Sequence, residues 1–377
     1  MPGATAPSPL WGGSGWGEFR RAAVLRLRLF SIVTESPPPS LPQVQAKLGF
    51  AKTGGGVFEY RSSAKCAALG AVIALQVGAA QSGELAREAI VTNQPADSLS
   101  VVDLDTMKSV AEIKIGGKPA GIALSPDKKT AYITAPEAKE LIEVDATSRT
   151  VKRRLALTGG PLGIAAHPSR AEVYVADWYE HKIAVIDAEK LTVAAEIPVG
   201  QSPSGLAVTP DGALLLSADR DSNEVSFIDL ASRKRLGGLA VGERPFGITI
   251  DSTGARAYTA NVASDDVSVI DIAARKVVGT VKAGHKPYAV ALAKGKGFVT
   301  GQYSGTVEVF DATSLAPVAT IEACDHPEGI EADGKGETVY VACWGDNIML
   351  KIDAGSLKIT GKADVGDGPR AFGKFLR

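Results

Sequence analysis

Seven prolines recur through the last two-thirds of the chain: Pro119, Pro161, Pro203, Pro245, Pro287, Pro327 and Pro369, spaced by 42 residues except for one step of 40. Asp103, Asp145, Asp187, Asp229, Asp271, Asp311 and Asp353 keep the same beat, each closing a run rich in Val, Ile and Phe. One repeat, residues 162–203, resolves into four short apolar segments, Gly163–Ala166 (A), Val173–Ala176 (B), Lys182–Asp187 (C) and Val193–Val199 (D). His167-Pro168-Ser169 separates the first two, and polar turns separate the rest. Two-residue alternation bounded by Pro, Gly and Asp predicts strands joined by tight turns. Four strands copied at a period near 42 predict an all-β chain folded as a seven-bladed β-propeller.

The blade count tests that prediction internally. Six full units begin at Ala120, Leu162, Ser204, Phe246, Tyr288 and Glu328, which leaves two fragments. Residues 88–119 supply strands B, C and D, and residues 370–377 supply one strand A. Together they complete a seventh blade that joins the two ends of the repeat array. A four-stranded blade cannot bury both faces alone, so closing the ring is obligatory.

The N-terminal part has no such period. Residues 1–56 are rich in Gly, Pro and Ser and read as a non-native or disordered extension, or as a start assigned too far upstream. Arg61 and Lys65 precede an apolar run from Cys66 that ends in Gly78-Ala79-Ala80, the pattern of a signal peptide over 57–80 cleaved near Ala80. The run is shorter than the ~20 residues that cross a bilayer, so no stable membrane span is expected after cleavage. The propeller, 81–377, is then periplasmic or secreted. It carries 33 Lys and Arg against 39 Asp and Glu, a balance that excludes nucleic acid or an anionic membrane as the main partner.

In such a ring the D–A crossings and B–C turns share one rim, and the A–B and C–D turns share the other. A purely structural column repeats from blade to blade, as the Pro and Asp columns do. The residues after each proline and at the end of each strand B diverge instead. They bring Trp178, Tyr179, Arg220, Arg244, Phe246, Lys286, Tyr288, Tyr303, Trp344 and Arg370 to the D–A/B–C rim, the composition of a surface for an envelope protein partner or a small molecule. Were the chain an enzyme, His285, His326, Glu328 and Asp219 would be its acid/base candidates. Cys-x-x-Cys-His, Gly-x-Ser-x-Gly, a phosphate-binding Gly-rich loop and His-Glu-x-x-His are all missing from the sequence, and no cofactor is predicted.

Cys324 and Cys343 fall just before strand A and at the end of strand B of the same blade, at the same end of adjacent strands. In an exported chain this predicts a disulfide. The alternative is a soft site for Cu or Zn from Cys324, His326 and Cys343.

Tyr132-Ile-Thr-Ala135, Tyr174-Val-Ala-Asp177, Tyr258-Thr-Ala-Asn261 and Tyr340-Val-Ala-Cys343, each followed by a version of Val-Ser-Val-Ile-Asp271, resemble the repeats of the YVTN family of propellers over roughly residues 88–377. The resemblance implies an exported envelope protein. Related propellers serve as the heavy subunit of amine dehydrogenases, the cytochrome d1 domain and lactonases, so it implies either a binding scaffold or an enzyme or enzyme subunit of the lactonase or amine dehydrogenase type.

Overall fold

A computed structural model describes residues 87–377; the extension and signal peptide expected over 1–80 lie outside the described residues. The described residues form 28 strands, and the only helical element among them is a single turn at Arg220–Ser222. Blade 2 shows the plan, with consecutive antiparallel strands at Pro161–Ala166, Glu172–Asp177, Lys182–Asp187 and Thr192–Pro198. These bounds fall within two residues of the expected ones, the largest difference being at strand A, which starts at the proline itself.

The repeated aspartates build the turns after strand C. Each takes the backbone N–H three residues on, from Thr106 on Asp103 (2.7 Å) to Ser356 on Asp353 (2.7 Å). Hydrogen bonds hold carboxyls of this column below the usual range, led by the Thr106 and Ser232 hydroxyls at Asp103 and Asp229 and by the backbone N–H at Asp145, Asp187, Asp311 and Asp353. C–D turns then bond to A–B turns, as Ala188 N–H does to Ala171 O (2.9 Å). On the other rim B–C turns bond to D–A crossings, as in Trp178 N–H to Gly160 O (3.0 Å) and Trp344 N–H to His326 O (2.9 Å). The two-rim arrangement read from the sequence is therefore present.

The core lies between blades. One cluster joins Tyr174, Ala176 and Ile183 of blade 2 to Leu206, Leu215 and Ile228 of blade 3. At the axis the inner strands approach so closely that a Cβ on Gly163 would sit 1.6 Å from Ser204 O. Glycine two residues after the proline is thus a requirement of closure at that position.

The seventh blade closes as the two fragments predict. Arg370 N–H bonds to Thr92 O (2.7 Å), Ile90 N–H to Phe375 O (2.9 Å) and Arg377 N–H to Glu88 O (2.8 Å). The pairing is broken rather than a plain ladder. Ala371 and Gly373 take positive φ (46° and 133°), and the short strand Phe372–Gly373 instead runs parallel to Gly121–Leu124 of blade 1. Side chains complete the seam. Phe372, Phe375 and Leu376 are buried; Glu331 accepts from Phe375 N–H (2.6 Å) and Leu376 N–H (2.9 Å); and Arg377 pairs with Glu88 (3.0 Å), which also holds Arg149 (2.7 Å).

Candidate functional site

The residues after the prolines do not line an open mouth. Leu162, Ser204, Phe246, Tyr288, Glu328 and Arg370 are all buried, and they fill the axis beneath the D–A crossings. Phe246 packs tilted against its neighbours, with ring centroids 4.8 Å from Tyr288 and 4.9 Å from Phe372. Arg370 donates to the Tyr288 hydroxyl (2.8 Å) and lies 3.4 Å from the Glu328 carboxylate, which also accepts from Gln302 (2.6 Å). Glu328 and Arg370 are only 1% and 3% exposed. Burial pushes the Glu328 carboxyl up, and the Arg370 charge pulls it back. The result is a plug that seals the ring from this rim.

The residues ending strand B also share a structural task despite their different identities. Asp219 accepts from Ser217 Oγ (2.6 Å), Gly200 N–H (2.9 Å) and Ser226 Oγ. Asn93 and Asn261 occupy the same corner, and each donates to the serine seven residues on, Ser100 and Ser268 (both 2.9 Å). Asp177 accepts Gly160 N–H (3.0 Å). Burial raises the Asp219 carboxyl to about 6, against the hydrogen bonds from its two serines and Gly200. The folded protein therefore holds that proton more tightly than the unfolded chain, and Asp219 costs stability as pH rises from about 4 to 6. Asp219→Asn is expected to fold, and its melting temperature minus that of the parent should grow across this interval. A difference that is flat with pH would refute the assignment.

Two facing columns of left-handed residues carry the rim. Lys118, Ser202, Arg244, Lys286 and His326 directly precede their prolines with φ between 52° and 57°. In the B–C turns Asp97, His181, Asn223, Asp265 and Asn347 are left-handed as well. Side chains of the second column cap the first: Asp97 takes Lys118 N–H (2.9 Å), His181 Nδ1 takes Ser202 N–H (3.0 Å), Asn223 takes Arg244 N–H (2.8 Å) and Asp265 takes Lys286 N–H (2.9 Å). Asp97, Asn223, Asp265 and Asn347 are of the residue types that enter this region most readily, whereas Lys118, Ser202, Arg244, Lys286 and His326 give no such signal in the sequence.

What remains accessible divides in two. Over blades 2 to 4, Arg220 lies 5.3 Å above the buried Trp178 ring, which meets Phe246 edge-on at 6.5 Å, while Tyr179 and Arg244 are exposed. Over blades 5 and 6 a row of rings runs His285, Tyr303, His326, Trp344, with centroids 5.8, 5.2 and 6.4 Å apart. Tyr303 is 53% exposed, a large value for a tyrosine in this protein. Both imidazoles are oriented by carboxylates, His285 Nδ1 on Asp265 (3.0 Å) and His326 Nδ1 on Asp325 (2.5 Å). Lys286 flanks the row. Cys324 and Cys343 are joined in a disulfide with Cα atoms 6.0 Å apart, which ties the Asp325–His326 crossing to the end of strand B and contributes about 3 kcal/mol. The bond uses both sulfurs, so the Cu or Zn alternative is corrected. Among the described residues no group of three or more His, Cys, Asp or Glu is placed to hold a metal, and no helix is long and apolar enough to cross a membrane.

No protein-family model matches the chain, and no curated protein does. Among solved structures it is similar to hydrazine synthase of Kuenenia stuttgartiensis, at 20% identity and a TM-score of 0.62, over 67% of this chain and 88% of that one. It is similar also to a functionally unknown protein from Desulfotomaculum acetoxidans, at 16% identity and a TM-score of 0.64, over 75% and 99%. Likeness at such identities speaks for architecture alone, and the architecture is a seven-bladed β-propeller.

Proposed function

We propose that the protein is an exported, YVTN-type propeller that binds an envelope protein partner on its D–A/B–C rim, over blades 5 and 6. The observation that carries this reading is the row His285–Tyr303–His326–Trp344. Its rings stand on adjacent blades, its imidazoles are oriented by Asp265 and Asp325, and its central crossing is fixed covalently. Rigid aromatic groups on a preorganised frame lose little freedom when a partner covers them. The plug beneath leaves this face without an entrance to the axis, which favours a macromolecular surface over a small-molecule pocket. The disulfide fits an oxidising compartment.

The test places a photocrosslinking amino acid at Tyr303 in the source cells, with the outer-strand position Val278 as control. A product specific to position 303, lost when His285 and Trp344 are both alanine, supports the reading. Equal labelling at 303 and 278 sinks it.

A hydrolase of the lactonase type draws on the same row, since two Asp-paired imidazoles flank one phenol. Lactone turnover that disappears in both His285→Ala and His326→Ala would favour it. Glu328 and Asp219 suit that chemistry less, being held inside buried networks.

A further inference from the structure

The plug leaves the ring open from the opposite rim. Beneath Phe372 the inner strands enclose a cavity of about 220 Å³, walled by Ile164, Leu206, Ile248, Val290 and Ile330 and ending at the Phe372 ring. Its two threonines are already engaged, Thr249 Oγ1 donating to Val290 O (2.7 Å) and Thr209 Oγ1 to Asp211 (2.6 Å). The side-chain charge on its wall is Lys374, which is exposed and 3.6 Å from Glu331.

The cavity widens into a depression of about 790 Å³ between the A–B turns of blades 4 to 6, sharing Thr249, Ile250, Val290, Ile330 and Lys374 with it. The one short repeat explains the width. Blade 5 lacks two residues, so its A–B connection shrinks to Lys294-Gly295, both at positive φ (47° and 69°), and notches the rim there. Lys128, Arg256, Lys294, Lys296, Lys335 and Lys374 line this depression against Asp251, Glu331 and Asp333. The carboxylates also accept from backbone, and Glu331 and Asp333 face Lys374 and Arg87 as well. Asp251 takes the N–H groups of Thr253, Ala255 and Arg256, Asp333 takes Glu337 N–H, and Glu331 takes those of Phe375 and Leu376. Lys128 and Lys335 have no ion-pair partner among the described residues.

We infer that this dead-ended channel is a second site, which binds a small amphiphilic organic anion. Its apolar body lies on the inner-strand side chains down to Phe372, and its carboxylate or sulfonate head sits at Lys374 and Lys128. An apolar cavity of about 150 Å³ accepts a benzene ring, so the space here suits a ring with a short chain.

Calorimetric titration of the purified full chain with phenylbutyrate, phenylbutanol and phenylbutylamine tests this. Phenylbutyrate should bind saturably and the isosteric amine about tenfold more weakly. Lys374→Gln should weaken phenylbutyrate roughly threefold to fivefold, the range of a partly exposed ion pair. Val208→Trp should abolish binding by filling the channel, with Ala166→Leu as the substitute if that variant melts early. No saturable binding at millimolar phenylbutyrate, an amine that binds as tightly as the acid, or unchanged binding in the filled variant that keeps its fold would each overturn the assignment.

Discussion

Removal of Arg370–Arg377 should abolish cooperative unfolding and leave an aggregating product. Phe372, Phe375 and Leu376 are buried, and losing them forfeits about 6–9 kcal/mol at roughly 2–3 kcal/mol for each large apolar side chain. One carboxylate, Glu331, would lose its Phe375 and Leu376 donors together with Lys374, whereas Glu88 would lose Arg377 and keep Arg149. The uncompensated charge at Glu331 costs about 3–5 kcal/mol. Together these losses, about 9–14 kcal/mol, are comparable to the roughly 5–15 kcal/mol that holds a domain together. Circular dichroism and a thermal melt read the result directly; a truncated chain that melts in one sharp transition would show that the seam is dispensable.

Arg370→Ala is the second large effect, and it carries a pH signature. The side chain fills the plug and faces Glu328, so at neutral pH its removal strands a buried carboxylate at a cost of about 3–5 kcal/mol. Without that charge, burial is opposed chiefly by the Gln302 hydrogen bond, and the Glu328 carboxyl rises further. The folded variant then binds a proton that the unfolded chain releases, so its stability is greatest in acid and falls as pH rises through the shifted value. Denaturant midpoints should therefore approach those of the parent as pH is lowered toward the ordinary carboxylate range. Adding Glu328→Gln to Arg370→Ala should restore most of the loss at neutral pH. A single variant with parental stability at neutral pH would show that the pair does not secure the plug.

The fold was legible because its determinants are local and periodic. Pro203, Asp229 and their counterparts do one job each, and a fixed interval exposes a shared job without knowledge of contacts. Cys324 and Cys343 were legible for a related reason, since the repeat places them at the same end of adjacent strands. The rim was harder to read. Divergence among Asn93, Asp219 and Asn261 suggests recognition, yet Asn and Asp there satisfy the same corner by exchanging donor and acceptor roles with a serine. Phe246, Tyr288, Glu328 and Arg370 differ because they fill one another's space across the axis, a complementarity between blades that no single repeat displays. The left-handed column before the prolines is not legible because Lys118, Ser202, Arg244, Lys286 and His326 carry no glycine signature. Their strain is met by side chains 21 residues earlier.

The seam that joins residues 88–93 to 369–377 also governs kinetics. Its hydrogen bonds link positions as much as 289 apart in sequence, whereas strands within the other blades meet across a few residues. Local hairpins form in microseconds, but contacts this remote arrive late and slow the route to the native ring. Interactions made only after the rate-limiting barrier raise the unfolding barrier without hastening folding. The lifetime of the native protein against proteases, as distinct from its equilibrium stability, is then concentrated in a handful of side chains at one blade.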